Sequence, residues 1–141
     1  MIVIWGLLGL CVIVVVHEFG HFIAAKLLDI DVETFSVGMG PVLARKQIGK
    51  TEFRLSLIPI GGYCGIKGES DVQKAIDSNL TEIHAEPHSF FENPFKRLII
   101  AFAGPFANIV FTVFAFIIIA FAGKTYYSTE PVVILATDIY P

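Results

Sequence analysis

The sequence predicts a mainly α-helical membrane protein, in which two transmembrane helices are separated by a small antiparallel, membrane-re-entrant β-sheet. Hydrophobic residues make up 55% of the 141 residues and charged residues only 16%, against about 25% charged residues in soluble domains. Two long apolar runs, residues 1 to about 28 and residues 98 to about 122, each exceed the roughly 20 residues that an α-helix needs to cross the hydrocarbon core of a bilayer.

The distribution of positive charge predicts the orientation of these helices. Nine of the ten Lys and Arg residues lie between the runs or at their inner ends, and only Lys124 lies beyond the second run. By the positive-inside rule, the connecting segment is cytoplasmic and both termini face outward. A cleaved signal peptide is the alternative for the first run, but it would carry a positive charge ahead of its apolar stretch, and no Lys or Arg precedes Lys26. The net charge of -3, without a basic stripe, argues against a nucleic-acid partner.

The first run has two unlike faces when its residues are placed at 100° steps. Small and polar residues surround His17, whereas Phe19 and Phe22 lie on the opposite side. Small residues allow close helix approach, so we expect the histidine face to look into the protein and the phenylalanine face to contact lipid. The histidine face comprises Leu10, Ile13, Val14, Glu18, Gly20, His21, Ala24 and Ala25, and the other face also carries Leu8, Val12 and Val15.

The second run predicts a matching helix. Asn93 and Pro94 mark its start, and Lys96 and Arg97 would anchor its cytoplasmic end. We expect its small face to pack directly on the first helix, or on a third helix that is not in this chain. The small face comprises Ala101, Gly104, Asn108, Thr112 and Ala115, and Phe102, Phe106, Ile109 and Val113 lie to the other side.

The segment between the helices predicts short strands. VETFSV at residues 32–37 and EFRLSL at residues 52–57 have strand composition, and the second alternates apolar and polar residues. Glycines suggest turns at Gly38, at Gly40 with Pro41, at Gly49, and at Gly61 with Gly62. Residues 55–66 are too apolar for an exposed loop and too short to span, which fits a re-entrant or membrane-surface position. Residues 67–86 are polar and indicate a solvated loop or a surface helix.

The sequence HEFGH at residues 17–21 carries the chemistry. His17 and His21 lie one helical turn apart and can face one ion, and zinc accepts two neutral imidazoles and keeps a position for water. Glu18 lies close enough to act as a general base without being a ligand. The alternative is that these residues form only structural hydrogen bonds between helices. It has to account for three ionisable groups on one helix face in the membrane, where a charge at the centre costs about 2.5 to 3.5 kcal/mol.

Six motifs, in this order along the chain, make it resemble the N-terminal part of a site-2 protease family member, a zinc intramembrane metalloprotease of the regulator-of-sigma-E protease type. They are HEFGH, FSVGMGP at residues 35–41, PIGGY at 59–63, GIKGE at 65–69, NPFKR at 93–97 and AGPFAN at 103–108. The resemblance implies that His17 and His21 bind Zn²⁺ and that Glu18 is the catalytic base. It further implies that residues 51–66 present substrate in extended form, with Gly61, Gly62 and Asn108 in substrate binding. A helix-helix hydrogen bond is an equally good reading of Asn108.

The third zinc ligand of that family, an aspartate in a Leu-Asp-Gly motif, has no counterpart in the sequence. Asp29 follows His21 by eight residues on the same helix and Asp138 falls on the outer side, so neither is expected to close the site. His84 and His88 lie in a polar stretch and are expected to be solvated. Residues 131–141 resemble the start of an extracytoplasmic PDZ domain, so we expect the chain to be the front portion of a longer protein.

These observations predict a zinc metalloendopeptidase that cuts in or near the transmembrane segments of substrate proteins, with lipid as its surroundings. We expect a multi-pass protein of the inner (plasma) membrane with its active site toward the cytoplasm. The alternatives are a non-catalytic membrane scaffold on the same fold, an inactive fragment that lacks the third ligand, or a metal transporter. The expected division is a first helix at 1–28, a cytoplasmic or re-entrant segment at 29–97, a second helix at 98–122, and the truncated PDZ start at 123–141.

Overall fold

The computed structural model describes residues 1–69 and 86–123. Helix α1 spans Ile2–Leu27, strand β1 spans Val32–Ile48, strand β2 spans Thr51–Ile66, and helix α2 spans Pro94–Ala122. Both helices are long enough and apolar enough to cross a membrane, by length and composition. The predicted two apolar helices and small antiparallel sheet are therefore confirmed. Most of the polar stretch at 67–86 and nearly all of the expected PDZ start lie outside the described residues.

Helix α2 begins where local sequence chemistry requires it. The extended backbone of Asn93 precedes the helix, and its side-chain oxygen accepts a hydrogen bond from the backbone N–H of Phe95 at 2.8 Å. Pro94 occupies the first turn, where its missing N–H has no intrahelical partner to lose. The helix starts four residues earlier than the apolar run, because the cap and not the hydropathy sets its first turn.

The two helices pack directly on each other through small residues. Gly20 is buried in α1, and a Cβ atom there would collide with the backbone oxygen of Ala103 and would approach the Cβ of Ala107 to 2.7 Å. Ala24 and Ala25 are also buried. Ala101 was expected in this contact but is exposed, because the interface is centred on Gly104 and continues through Ala103 and Ala107 on the other side of the stripe.

The prediction that the phenylalanine face of α1 contacts lipid is wrong for Phe22. Its ring packs against the rings of Phe35 and Phe53, with centroids 5.4 Å and 5.7 Å apart. The sheet folds back onto this side of α1, where it covers Phe22 and leaves Phe19 49% exposed. The hydrophobic core therefore lies where the end of α1, the start of β1 and the first turns of α2 meet, and its buried residues include Ala25, Ile30, Val32 and Ile100.

The strands are much longer than predicted because most of the glycines that were expected to form turns lie within them. Gly49 lies in the reversal between the two strands, with Ile48 paired to Thr51. Residues 34–37 run parallel to residues 52–55, while residues 44–48 run antiparallel to residues 51–55. The backbone therefore also reverses direction between Val37 and Ala44, where Gly38 and Gly40 have positive φ, and between Leu55 and Gly62, where Gly61 has positive φ. The turns predicted at these glycines are therefore confirmed, although β-pairing continues through them at Met39 with Ile58 and at Val42 with Ser56.

These reversals place more strand segments side by side in the sheet than two straight strands would give. Residues 34–37 of β1 lie between two parts of β2, with Phe35 paired to Cys64 on one side and to Phe53 on the other. Residues 62–66 consequently form an outer edge of the sheet within the described residues. That edge lies beside α1, the helix that holds the HEFGH motif.

Gly38 offers a test of this architecture. A Cβ atom there would approach the backbone oxygen of Ile58 to 2.6 Å, at a φ of +83°. We expect Gly38→Ala to destabilise the protein by at least about 1 to 2 kcal/mol, the cost of a left-handed conformation for a non-glycine residue. Gly49→Asn is the matched control, since its Cβ would meet open space and Asn tolerates the left-handed region. Thermal unfolding in detergent measures both, and equal stability of the two variants would contradict the close contact between Gly38 and the backbone of Ile58.

Candidate metal centre

Two imidazole nitrogens face one small space between the helices. His17 and His21 lie one turn apart on α1, with ring centroids 4.8 Å apart and planes at 81°. Opposite them on α2 is Gly104. A Cβ atom on Gly104 would lie 2.7 Å from Nε2 of His17 and 2.5 Å from Nε2 of His21. Both Nε2 atoms therefore border the same space, and it exists because residue 104 has no side chain.

The other nitrogen of each ring is held by α2. Nδ1 of His21 lies 2.7 Å from the backbone oxygen of Ile100. A carbonyl oxygen can only accept, so this Nδ1 carries the hydrogen and Nε2 keeps its lone pair. Nδ1 of His17 lies 3.2 Å from the side-chain amide of Asn108. Such outer partners fix ring orientation and are typical of metal-binding histidines.

Glu18 lies on the sheet side of the histidine pair. Its side chain and that of His21 line a cavity of about 380 Å³ whose other wall includes Tyr63 and Cys64 from the outer edge of the sheet. The cavity is the place where a water molecule and an extended peptide could meet Glu18. A carboxylate here can accept a proton without occupying the space between the two Nε2 atoms.

The two glycines predicted to bind substrate have different surroundings. Gly62 is close to Glu18, because a Cβ atom at position 62 would lie 3.7 Å from Cγ of Glu18 and 2.7 Å from the backbone oxygen of Ser36. A Cβ at Gly61 would instead collide with the side chain of Met39. The fold thus brings Gly62 to the HEFGH motif, while Gly61 packs within the sheet.

The remaining candidate ligands are not gathered here. Within residues 1–69 and 86–123, no group of three His, Cys, Asp or Glu side chains is arranged to hold a metal ion. Asp29 forms an ion pair with His88 at 3.0 Å at the end of α1. The His88 side chain is 49% exposed, as predicted for a solvated histidine. His84 and Asp138 lie outside the described residues.

The thiol of Cys64 lies in the wall of the cavity beside Glu18, and it is neutral. Burial, with a smaller effect from the negative charge of Glu18, raises the pKa of the Cys64 thiol to about 12. Thiolates, not thiols, are the nucleophiles and metal ligands of proteins. Cys64 therefore contributes a small apolar surface to the cavity wall.

The combination of an HExxH helix, two converging imidazoles and a neighbouring carboxylate is the arrangement of a metallopeptidase. The sequence profile of peptidase family M50 matches residues 5–137. The chain belongs to peptidase family M50, which confirms the resemblance to site-2 proteases.

Three bacterial relatives extend this finding, and their names all describe zinc metalloproteases. The chain is 49% identical to the protein from Treponema pallidum (strain Nichols) over 86% of its length. It is 42% identical to the one from Borreliella burgdorferi over 90% of its length, and 41% identical to the one from Chlamydia trachomatis over 82%. The matched regions cover 27%, 29% and 19% of these relatives, respectively. The chain therefore spans less than a third of the length of the relatives that it matches.

Proposed function

We propose that this chain supplies the catalytic helix and the substrate-facing sheet of a zinc-dependent intramembrane protease. The observation that carries the proposal is the pair of Nε2 atoms bordering one space beside Gly104, with Glu18 next to it. Membership in peptidase family M50 and the names of the relatives support zinc as the metal. His17 and His21 would hold the zinc together with a third ligand from outside the described residues.

Both helices are proposed to cross the membrane. Large apolar side chains cover their outer surfaces, and Phe102 and Phe106 are 66% and 64% exposed, which would be unfavourable in water. His17 would lie about 24 Å along α1 from Met1, at 1.5 Å per residue. The site would then be inside the bilayer and nearer its cytoplasmic side, with the cavity at Glu18 as the route for water.

The residues divide the work of peptide hydrolysis. Bound zinc supplies a Lewis acid that polarises a carbonyl group and makes water a better nucleophile. His17 and His21 would hold the metal through their Nε2 atoms, and the backbone oxygen of Ile100, 2.7 Å from Nδ1 of His21, orients that ring. Glu18 accepts the proton that the attacking water loses and can pass it to the leaving amine.

The substrate is proposed to be a transmembrane protein, bound as an extended strand. Residues 62–66 form an outer edge of the sheet, and a peptide that pairs with this edge would have its backbone beside Glu18. Strand addition needs an extended peptide, so a substrate helix would have to unwind before it is cut. Gly62 brings this edge close to Glu18, since a Cβ atom at position 62 would lie 3.7 Å from Cγ of Glu18.

Metal analysis with a cleavage assay tests the function. The protein as its gene encodes it is purified in detergent, and its zinc content and its cleavage of a reporter transmembrane substrate are measured. We expect His17→Ala and His21→Ala to lose zinc and cleavage together, and chelation of wild-type protein to stop cleavage until zinc is returned. His88→Ala is the matched control, since His88 is paired with Asp29 away from the site. Cleavage that survives chelation would refute the proposal.

A further inference from the structure

We propose that Asn108 is a positioning residue that sets the tautomer of His17 and thereby frees its Nε2 atom for the metal. This inference rests on the proposed zinc centre. It gives Asn108 a role other than substrate contact, and it makes a statement about the position of one hydrogen atom.

The starting point is that the two histidines have different kinds of partner. His21 faces the backbone oxygen of Ile100, which can only accept, so its Nδ1 must donate. His17 faces a carboxamide, which has an acceptor at one end and a donor at the other. If the Asn108 NH₂ group donates to Nδ1 of His17, the ring hydrogen sits on Nε2, where it blocks metal binding. If the Asn108 oxygen accepts from Nδ1, the Nε2 lone pair is free.

Within the described residues, the contact with His17 is what distinguishes the two orientations of the Asn108 amide. The amide nitrogen, Nδ2, is placed 3.2 Å from Nδ1 of His17. The other end is buried and has no hydrogen-bond partner among the residues that the structure describes. A rotation by 180° exchanges the oxygen and the nitrogen without changing the shape of the side chain. No second contact of the described residues therefore opposes the orientation in which the oxygen faces His17.

The convergence of the two rings favours the orientation in which the Asn108 oxygen faces His17. Both Nε2 atoms border the space beside Gly104, and a metal ion there needs a lone pair from each. His21 already offers one through Ile100. The Asn108 oxygen completes the pair by holding the hydrogen of His17 on Nδ1, so α2 provides an outer partner for each imidazole four residues either side of Gly104.

Metal affinity in matched variants tests the proposal. Metal-free full protein is titrated with Zn²⁺, and with Co²⁺ as a coloured probe. We expect Asn108→Leu to weaken zinc binding by about 10- to 100-fold, the usual effect of removing an outer partner. Asn108→Asp keeps an acceptor and should bind within a few-fold of wild type. Thr112→Val removes a hydroxyl one turn further along, which donates to the backbone oxygen of Asn108 at 2.8 Å, and it should leave zinc affinity unchanged.

The tautomer itself is read by NMR of wild-type protein labelled with ¹⁵N-histidine, which needs no variant at position 108. The His17 signals are identified by their loss in His17→Ala. We expect the hydrogen on Nδ1 in the metal-free protein, and a hydrogen on Nε2 would overturn the proposal. Wild-type affinity in Asn108→Leu, with binding lost in His17→Ala, would refute only the role of Asn108. Wild-type affinity in His17→Ala would refute the zinc centre as well.

Discussion

Glu18→Gln is expected to lower the rate of peptide-bond cleavage by about 100- to 10,000-fold, the usual contribution of a general base. The amide has the size of the carboxylate and fills the same part of the cavity, but it cannot accept a proton at neutral pH. Because Glu18 is not proposed as a ligand, zinc should remain bound. Cleavage of a reporter transmembrane substrate and the zinc content of the same purified sample measure both effects.

Glu69→Gln is the matched control for this experiment. Glu69 lines the same cavity as Glu18, so its replacement makes the same change of charge in the same surroundings at a residue that is not beside the histidines in sequence. We expect nearly full activity. Unchanged cleavage in Glu18→Gln would contradict the base assignment. Loss of zinc along with activity would instead make Glu18 a ligand, with a different division of roles in the motif.

The features that the sequence predicted correctly depend on residues that are near each other in the chain. His17 and His21 share a face because a helical turn separates them, and no distant residue can alter that spacing. The start of α2 follows from Asn93 and Pro94, whose cap and ring act on the adjacent turn. Hydropathy gave both long helices for the same reason, since it is averaged over neighbouring residues.

The features that the sequence did not predict depend on how distant segments meet. Phe22 was assigned to lipid because its helix face is bulky, and only the folding of β1 and β2 onto that face shows otherwise. The turns at Gly38, Gly40 and Gly61 were predicted correctly, but the sequence did not show that residues 34–37 pair with two parts of β2, because that depends on segments distant in the chain.

The sequence also did not predict which groups hydrogen-bond to the Nδ1 atoms of the two histidines. His21 bonds to the backbone of Ile100, which lies 79 positions away. Every residue has such a carbonyl, so residue type gives no signal for it. The motif singled out Asn108, but only the structure shows its distance to His17 and the burial of its Oδ1 atom. Gly104 was recognised only as a small residue for helix packing, and its position under both Nε2 atoms was not foreseen.

Gly104→Ala is expected to weaken zinc binding by at least about 100-fold, which is the upper end of the loss caused by removing a single outer partner. The added methyl group would lie 2.7 Å from Nε2 of His17 and 2.5 Å from Nε2 of His21. Both distances are well inside van der Waals contact, so the rings or the helices must move apart. Either movement would separate the two Nε2 atoms, so that they could no longer both bind one zinc ion.

Gly9→Ala separates this effect from the general consequences of replacing a helical glycine. Gly9 lies in α1, and its Cβ would have no atom within 4 Å, so the variant should bind zinc like wild type and gain slightly in helix stability. Zinc titration and thermal unfolding are measured on both variants. If Gly104→Ala keeps wild-type affinity, zinc binding does not need the close approach of both imidazoles to residue 104. If it folds normally and loses zinc, the glycine is needed for the metal and not only for helix packing.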